Sequence, residues 1–555
     1  MIISYTDDGN IHVRYRESNN LRVERVYNDF KPYFFIDEKA REIDFYKINM
    51  KVNGENVSLE LPYAYEHGDW KNLLGKPLKK VIVQKHSDIR TAKKSWNRTY
   101  EADVPFHYRY CVDKLEKLHE YDLRKWYWDM EWLNGDPDEG DAITAIVVYD
   151  NYDDKYTVYT WNPYLNEDKF PEYNNNSVIF TFHSEFEMLR GFMKQIQECD
   201  PDMLISWFGS KFDLPKLIHR LHYRGIDPRG LSPYNEVKGV YANKITDAVD
   251  NYSPVAQPIR GRITLNLDLA FERQWNDSQR GTLPSLALDY AAEVVLGAKK
   301  LVSEKFPDKN EFFRRGWLED TERYLEYARV DVELLHRIDD EMGLSEGILS
   351  LQRLLVAPFD ACFYASNMGS IYFMRNAWWK APTGDKSKDR EDYDGALIYD
   401  PLSEETNGLH IGVAAFDYAG LYPSMMLARN ISWETLTHSK TEFAVNLKTP
   451  RDFSPVVDKD MVYFKTDKLG LLPQSVLELK TLRDEYKRRR NEAEDKREYT
   501  KWENSQMAVK RLMASFYGII AYQGFGWANV TLAAAITASA REAIREAAFK
   551  VRELE

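Results

Sequence analysis

The chain has 555 residues, of which 44% are hydrophobic and 29% are charged, and its formal net charge is −13. A chain of this length exceeds one hydrophobic core, so about three to five domains are expected. No window approaches the roughly 18 uncharged apolar residues of a membrane span, and the N-terminus lacks the basic and apolar regions of an export signal. The negative charge disfavours nucleic-acid binding unless positive charge is confined to one face. The three widely spaced cysteines fit a reducing cytoplasm.

Residues 1–105 contain short alternating runs, such as IHVRY and YFFID, separated by turn signals such as DGN. This pattern predicts a β-rich N-terminal domain. After it, the pattern of residues 127–150 predicts an apolar strand, a turn rich in Gly, Asp and Pro, and a second apolar strand. Residues 262–269, RITLNLDL, predict a further strand. Beyond residue 331 the pattern is helical to about residue 379, and residues 383–392 predict a polar loop.

Acidic residues stand at three informative places in this first half. Asp129 and Glu131 are two apart on a predicted strand, so both side chains point to one side. Asp213 lies at a turn between a predicted strand and a helix start. Tyr327 and Asp331 are four apart on a predicted helix and share one face. Exposed acids and an ordinary surface helix contact would give the same patterns, so the residues alone leave both alternatives open.

A short segment of the second half, residues 413–424, has the sequence VAAFDYAGLYPS. Its first four residues are apolar without polar alternation, which predicts a buried strand over residues 413–416. Asp417 follows directly, so a carboxylate would stand where the chain leaves the sheet, as a divalent-metal site requires. Pro423 fits the first turn of a helix.

Residues 417–424, DYAGLYPS, closely resemble the first palm motif of family B DNA polymerases, D-x-x-[SG]-L-Y-P-S. The resemblance implies that Asp417 binds both metal ions of a polymerase site. It also implies that Leu421 and Tyr422 bind the incoming nucleotide, with the Tyr422 ring under the sugar, where it excludes a 2′-OH.

The acidic patterns of the first half resemble the three motifs of a DnaQ-like 3′→5′ proofreading exonuclease domain. The second motif reads N-x-x-x-F-D-x-P in the family, but Phe208 replaces its asparagine here. Phosphodiester hydrolysis by two metals needs carboxylates that converge on ions about 3.5–4 Å apart. The resemblance implies that Tyr327 orients the attacking water and that the metal ligands are Asp129, Glu131, Asp213 and Asp331.

Residues 472–504 predict a long charged helix. Arg483 and Lys487 are four apart and share one face, and this R-x-x-x-K pair is similar to the fingers helix that holds the nucleotide triphosphate. For the densest basic run, residues 488–490, a solvated surface is the preferred interpretation.

Residues 510–518, KRLMASFYG, resemble the second polymerase motif, K-x-x-x-N-S-x-Y-G, with Ala514 in place of asparagine. The resemblance implies that Lys510 and Tyr517 bind the nucleotide, while Gly518 lets DNA approach closely. The YDGA sequence at residues 393–396 resembles the Y-x-G-[GA] element between exonuclease and polymerase parts. Its implied DNA-binding residues are Tyr393 and Gly395.

Residues 536–544 resemble the family helix T-x-x-G-R-x-x-[LI], with Ala540 in place of glycine. The family places a third motif, Y-[GA]-D-T-D, and the thumb beyond this helix, and the sequence contains no D-T-D. We therefore expect the large subunit of a split polymerase, completed by a smaller polypeptide. The alternatives are a stand-alone exonuclease with a relic polymerase region, a non-catalytic DNA-binding or assembly subunit, and a piece of an ordinary polymerase.

The expected fold is a multidomain mixture of α/β and α+β parts. The expected domains are a β-rich domain at 1–105 with part of 340–365, an RNase H-like exonuclease domain at 106–340, the first part of a palm at 366–470, helical fingers at 471–522, and a palm helix at 523–555, without a thumb. Mg²⁺ is the expected metal, and Mn²⁺ also fits oxygen ligands. The expected partners are primer–template DNA, dNTPs, the small subunit and a sliding clamp, with no membrane, in the cytoplasm of a prokaryotic or phage-infected cell.

Overall fold

The structure, a computed structural model, describes residues 1–17, 19–52, 55–133, 142–164, 176–277, 281–380, 392–398 and 408–553. The chain divides into two compact units. Unit 1 comprises Met1–Phe30 and Lys117–Phe363, and unit 2 comprises Lys31–Glu116 and Tyr364–Glu555. Residues 1–30 thus group with the predicted exonuclease domain rather than with the rest of the N-terminal segment.

In chain order the strands of the described residues, β1 to β19, are Ile2–Tyr5, Ile11–Arg16, Arg22–Tyr27, Tyr33–Asp37, Phe45–Val52, Glu55–Pro62, Ala64–Lys71, Pro77–Ile82, Lys125–Trp132, Ile143–Asp150, Lys155–Trp161, Ser177–Phe182, Met203–Ser206, Val240–Tyr241, Lys244–Ile245, Ile263–Asn266, Leu436–Thr437, Phe443–Asn446 and Met461–Phe464. The α-helices, α1 to α14, are Ile89–Ala92, Phe106–Lys114, Glu185–Cys199, Asp213–Tyr223, Leu267–Asp277, Leu288–Leu296, Lys309–Glu319, Thr321–Met342, Leu344–Leu355, Ala365–Asn376, Leu421–Ala428, Leu471–Asn491, Lys496–Ile520 and Val530–Arg552. Among these helices, none has both the length and the apolar character needed to cross a membrane.

Unit 1 is built on a mixed sheet with the strand order β12-β11-β10-β9-β13-β16. The strand β10, whose sequence is almost entirely apolar, is buried along its whole length. The strand β9 runs antiparallel to β10 and parallel to β13, and β13 runs parallel to β16. Because β9, β13 and β16 are parallel, their carboxyl ends meet at one edge of the sheet. Helix α8 packs against β9 and β10 close to this edge.

The predicted strand at residues 262–269 is only partly right, because β16 ends at Asn266 and α5 begins at Leu267. The side chain of Asn266 accepts a hydrogen bond from the amide of Ser210 at 2.8 Å and donates one to the carbonyl of Pro254 at 2.5 Å. These contacts fix Asn266 between two loops at the point where the backbone leaves the sheet. A pattern of alternating residues does not reveal such tertiary contacts.

Unit 2 begins with the sheet β4-β8-β7 and the hairpin β5-β6. Phe34, Ile36, Tyr46, Val81 and Val83 form part of their common core. Later in the unit, β17, β19 and β18 form a small antiparallel sheet. Helices α12 and α13 pack along each other as a helical hairpin, and α14 packs against α11. The helical hairpin occupies the residues predicted as fingers.

The predicted buried strand at residues 413–416 is wrong. These residues form neither helix nor strand, and the exposed fractions of Val413 and Phe416 are 74% and 84%. A strand needs a neighbour for its backbone N–H and C=O groups. In the described part of unit 2, the nearby sheet β17-β19-β18 does not include this segment. The predicted loop at residues 383–392 lies, apart from its last residue, outside the described residues.

Candidate functional site

Three of the predicted acidic residues meet at the edge of the unit 1 sheet. Asp129 and Glu131 lie on β9, and Asp331 lies on α8, which packs against that strand. One carboxylate oxygen from each of the three lies within 4.8 Å of the other two. The alternation of β9 explains why Asp129 and Glu131 point to the same side. The group has the spacing of a divalent-metal site.

Asp213 and Tyr327 belong to the same region. Asp213 is the first residue of α4, which follows β13, so it stands at the edge where β9 also ends. Burial, and after it the charges of Asp213 and Asp331, raise the pKa of Asp129 well above its usual value. Burial also raises the pKa of Asp213 to about 7. Tyr327 lies one turn before Asp331 on α8 and hydrogen-bonds to its carboxylate.

The carboxylate cluster suits a hard divalent cation. The Oδ1 atom of Asp331 is buried and has no hydrogen-bond partner among the described residues. A buried carboxylate oxygen without a partner is costly unless a cation or another donor satisfies it. Several carboxylate oxygens converging on one point are the ligands that Mg²⁺ and Mn²⁺ take. The crowding of these carboxylates also raises the pKa values of Asp129 and Glu131, because burial and like charges disfavour the ionised carboxylates.

Sequence reasoning missed one residue of this cluster, Lys300. Its Nζ atom lies 2.6 Å from Oδ2 of Asp331 and 5.6 Å from the centre of the Tyr327 ring. Burial lowers the pKa of Lys300, but the facing groups Asp331 and Tyr327 outweigh it and raise that pKa overall. Lys300 therefore stays charged and holds Asp331 in place. No recognisable spacing marks it, and the only signal is a pair of lysines shortly after α6.

Replacing Lys300 with methionine is expected to slow the predicted exonucleolytic hydrolysis about 10- to 100-fold, because Asp331 loses the cation that positions it. The rate is measured in single turnover on a labelled oligonucleotide. Lys299→Met is the matched control, since Lys299 is exposed and pairs at 3.0 Å with Glu293. Equal rates for Lys300→Met and Lys299→Met would show that Lys300 does not support the cluster.

The position of Phe208 gives this turn an aromatic character. Phe208 packs edge-to-face on Phe212, with 6.2 Å between ring centres, and Phe212 is 48% exposed. Lys211 lies 5.1 Å from the centre of the Phe212 ring. The turn that leads to Asp213 therefore presents aromatic rings and a cation where the exonuclease motif has an amide.

In unit 2, three of the predicted tyrosines lie together. The rings of Tyr422 and Tyr517 are 4.4 Å apart between centres, and the hydroxyls of Tyr517 and Tyr393 are 3.0 Å apart. Tyr422 lies on α11 and Tyr517 on α13. Leu421 begins α11, next to Tyr422. Gly518, beside Tyr517, is exposed, and no atom would lie within 4 Å of a Cβ added there.

Arg541 and Thr537 of α14 hold the chain next to Tyr393. The Arg541 guanidinium is fully buried and donates to the carbonyls of Asp394 at 2.7 Å and Gly395 at 2.5 Å. Thr537 Oγ1 donates to the carbonyl of Asp394 at 2.8 Å. Carbonyls held in this way fix the backbone of the YDGA element, including Gly395. The sequence pattern of this helix is similar to that of its family counterpart, but this contact was not predicted.

Of the predicted cations of the helical hairpin, Arg483 contacts the neighbouring helix. Arg483 Nε donates to Oε1 of Gln506 at 3.1 Å, and Gln506 lies one turn before Lys510 on α13. Burial lowers the pKa of Arg483. Lys487 is half-buried one turn beyond Arg483, whereas Ala514 is exposed. Arg483 and Lys510 therefore face the same side of the hairpin.

Asp417 is not part of an acidic cluster in the described residues. It is exposed and follows the unpaired segment 413–416. Among the described residues, a group of three or more acids with metal-binding spacing occurs in unit 1 and not around Asp417. Among the described residues, the structure thus brings together three of the acids predicted for the exonuclease and leaves Asp417 outside any group of this kind.

An acidic cluster at the edge of a mixed sheet, a cationic helical hairpin and a tyrosine group are the features expected of an enzyme that acts on nucleic acid. The model of "DNA polymerase family B" matches residues 371–554, and that of "DNA polymerase family B, exonuclease domain" matches residues 116–269. The chain belongs to DNA polymerase family B and contains the exonuclease domain of that family.

Curated relatives support the same assignment. The DNA polymerase of Pyrococcus glycovorans is 26% identical over 581 residues, which cover 99% of this chain and 67% of the relative. The DNA polymerase of Desulfurococcus sp. (strain Tok) is 25% identical, with coverages of 99% and 68%. The chain thus spans about two thirds of the length of these relatives. The predicted membership of the family and the predicted class of enzyme are confirmed.

The solved structure of the family B DNA polymerase from Pyrobaculum calidifontis matches with a TM-score of 0.69 at 17% identity. The match covers 100% of this chain and 71% of that chain. This similarity confirms the predicted multidomain mixture of α/β and α+β parts. The exact domain boundaries and the roles of individual residues stay predictions.

Proposed function

We propose that this chain removes nucleotides from the 3′ end of DNA at the unit 1 cluster and forms the first part of a template-directed polymerase site in unit 2. The observation that carries the first half is the approach of Asp129, Glu131 and Asp331 to within 4.8 Å of one another. Release of mononucleotides from the 3′ end of a labelled single strand by the purified chain with Mg²⁺ tests it. Release from the 5′ end alone, or none with Mg²⁺ or Mn²⁺, would contradict it.

In the proposed exonuclease, bound Mg²⁺ would activate a water molecule and stabilise the leaving oxygen. The residues that would hold it are Asp129, Glu131, Asp213 and Asp331. Tyr327 would orient the attacking water from its place on α8, one turn before Asp331. Lys300 would keep Asp331 oriented through the contact at 2.6 Å. The aromatic turn around Phe208 offers a surface for an unpaired base at the 3′ end.

In the proposed polymerase site, Asp417 would be one metal ligand and Arg483 and Lys510 would hold the triphosphate. Their shared side of the helical hairpin supports this role, because two cations on one side can contact a chain of phosphates. Lys487 would add positive charge next to Arg483 on the same helix. Tyr422 would lie under the sugar and exclude a 2′-OH. The remaining contacts with the nascent base pair and the DNA would come from Leu421, Tyr517, Gly518, Tyr393 and Gly395.

We also propose that a second, smaller polypeptide completes the palm. Leu409, Ile411 and Val413 alternate along the chain and are exposed by 91%, 93% and 74%. Exposed apolar side chains at three nearby positions are suited to burial against a partner chain. A strand pair carrying a second carboxylate would cover them and stand beside Asp417. The predicted sliding clamp stays a prediction, because no contact among the described residues bears on it.

Arg483→Ala and Lys510→Ala are each expected to weaken binding of a dNTP with Mg²⁺ about 10-fold or more, because each removes a charge-assisted contact to phosphate. Binding is measured by equilibrium dialysis with labelled dNTP. Arg488→Ala is the control, since Arg488 is 57% exposed in its side chain and forms ion pairs with Glu485 and Glu492. Equal losses in all three variants would remove the special role of Arg483 and Lys510.

A further inference from the structure

The strand β9 carries a further polar side chain on the side of its two acids. Tyr127 stands two residues before Asp129, so its side chain lies on the same side of β9 as Asp129 and Glu131. Tyr127 is buried, and its hydroxyl donates a hydrogen bond at 2.6 Å to Oδ2 of Asp339, which is also buried. Asp339 lies on α8, eight residues after Asp331. A hydrogen bond between buried side chains thus joins the strand and the helix that carry the acids.

Asp339 is held firmly as the acceptor of this bond. Its Oδ1 atom accepts a hydrogen bond at 2.7 Å from the amide of Ser345, at the start of α9. Lys125, which precedes Tyr127 on β9, lies 3.1 Å from Oγ of Ser345 and 2.9 Å from Oε1 of Glu346. Burial lowers the pKa of Lys125, but the charges of Glu346 and then Asp339 outweigh it and raise that pKa overall. Both oxygens of Asp339 are therefore engaged, and a buried cation stands nearby.

A second buried hydrogen bond attaches α8 to the sheet at its other end. The hydroxyls of Tyr324 on α8 and Thr144 on β10 are 2.7 Å apart, and Thr144 Oγ1 donates to the carbonyl of Glu131 at 3.1 Å. Tyr324 lies seven residues before Asp331, and Asp339 lies eight residues after it. At 1.5 Å per residue, the two attachments stand about 10 Å and 12 Å from Asp331 along the helix. They bracket the acid that α8 contributes to the cluster.

These attachments determine where Asp331 stands relative to the acids of the strand. Asp129 and Glu131 move with β9 and Asp331 moves with α8, so a small slide of the helix along the sheet changes their separation. Protein ligands of a metal must keep their distances to within about 0.2 Å, and partners that only orient the ligands change metal affinity about 10- to 100-fold. Lys300 orients the carboxylate of Asp331 but belongs to neither α8 nor β9. The hydrogen bonds on either side of Asp331 fix the helix itself.

We propose that Tyr127 and Asp339 are positioning residues for the unit 1 cluster, because their hydrogen bond sets the place of α8 along β9 and thereby the affinity of the acids for a divalent cation. The role assigned to them rests on the proposed function of the cluster as a metal site. Neither residue belongs to the group of three acids with metal-binding spacing. Both therefore act through the position of Asp331.

The test is equilibrium binding of Mn²⁺ to the whole chain without DNA, followed by the electron paramagnetic resonance signal of the free ion. Asp129→Ala lacks the cluster site, so the binding that remains in it is subtracted as the contribution of other sites. Tyr127→Phe keeps the ring and removes only the hydroxyl. It is expected to weaken the cluster site for Mn²⁺ about 10-fold.

Tyr149→Phe is the matched control. Like Tyr127, Tyr149 is buried and packs its ring beside His336 of α8, with ring centres 3.9 Å apart for Tyr149 and 5.3 Å for Tyr127. Its hydroxyl also donates to an aspartate, but Asp154, at 2.8 Å, lies between β10 and β11 rather than on α8. Tyr149→Phe should therefore bind Mn²⁺ like the wild type.

The outcomes separate this proposal from the proposed function. Wild-type affinity in Tyr127→Phe, or equal losses in Tyr127→Phe and Tyr149→Phe, would overturn the positioning role while the cluster remains a metal site. A wild type that binds no more Mn²⁺ than Asp129→Ala would overturn both. A 10-fold loss confined to Tyr127→Phe would support the positioning role even if the chain hydrolysed no DNA.

The metal dependence of hydrolysis distinguishes positioning from a general loss of structure. Tyr127→Phe is expected to need about 10-fold more Mg²⁺ for half of its maximal rate, and its rate at saturating Mg²⁺ should return to within about 3-fold of the wild type. A rate that is reduced equally at every Mg²⁺ concentration would overturn the proposal, because a merely structural role would have that effect.

Asp339→Asn tests the same bond from the helix. An amide has a single carbonyl oxygen, so it cannot keep the bonds to Tyr127 and Ser345 on two separate oxygens. The cluster site for Mn²⁺ is expected to weaken in this variant as well. The double variant Y127F/D339N should bind no more weakly than Asp339→Asn alone, because both substitutions remove the same bond. Losses that add in full would show that the two residues act independently and would overturn the proposal.

Discussion

Asp129→Ala is expected to slow 3′→5′ hydrolysis by at least about 10³-fold, because the two-metal reaction depends on a group of ligands that act as a unit. Asp129 stands at the centre of the cluster, where Asp213 and Asp331 both raise its pKa. Its removal leaves Glu131 and Asp331 without the third ligand atom of the group that lies within 4.8 Å. The rate is measured by rapid quench on a labelled single strand.

The fold itself should survive this change. Burial and like charges raise the pKa of Asp129, so in metal-free buffer its ionised form is unfavourable in the folded chain. The Tm of Asp129→Ala without metal is therefore expected to equal or exceed that of the wild type. Asp150→Ala is a useful contrast, because Asp150 lies at the far end of β10 and pairs with Arg124 at 2.7 Å. That variant should lose stability but keep hydrolysis, and a loss of hydrolysis equal to that of Asp129→Ala would contradict the assignment.

If a second polypeptide completes the palm as we propose, primer extension is expected only when that polypeptide joins the chain, and it should depend on Asp417. The palm carboxylate is exposed, and the described residues place no acidic cluster around it. Phosphoryl transfer with one of two metal-bridging carboxylates is severely impaired. In an Asp129→Ala background, which removes competing hydrolysis, a fraction from the source cells should restore extension. Asp417→Asn in the same background should abolish that restoration by about 10³-fold or more.

Ile411 gives a sharper test of how the second polypeptide binds. Its side chain is 93% exposed, so Ile411→Lys should leave the chain folded and its hydrolysis unchanged. A charge at this exposed apolar position should nevertheless block binding of the second polypeptide and restoration of extension. Val457→Lys is the control, because Val457 is also exposed, by 84%, and lies outside this segment. If the fraction restored extension equally well with the Asp417→Asn and Ile411→Lys variants, the fraction would contain its own polymerase.

Short-range patterns predicted much of the exonuclease cluster. Two acids spaced by two on a strand, and a tyrosine and an acid spaced by four on a helix, determine which side chains share a face, and the structure places Asp129, Glu131 and Asp331 together. The helical character of residues 472–504 was predicted for the same reason, but the single long helix was wrong, because α12 ends at Asn491 and α13 begins at Lys496. These interactions need no knowledge of distant parts of the chain.

What the sequence did not predict depends on contacts between distant segments. Lys300 meets Asp331 across 31 positions, and no spacing rule connects them. Arg541 holds the carbonyl of Gly395 across 146 positions. Residues 413–416 have the composition of a buried strand, but a strand also requires a partner, which composition does not reveal. Phe208 and Ala514 were recognised as departures from family patterns, and the structure shows one within an aromatic turn and the other exposed.

The most direct test is a gel assay of the purified chain on a 5′-labelled primer–template with Mg²⁺, with and without dNTPs, beside Asp129→Ala. The wild type is expected to shorten the primer under both conditions, Asp129→Ala to leave it intact, and neither to extend it. That result would establish an active exonuclease joined to a palm that needs a second carboxylate. Robust extension by the purified chain would contradict the proposed division of the polymerase, and shortening that survives Asp129→Ala would contradict the assigned exonuclease site.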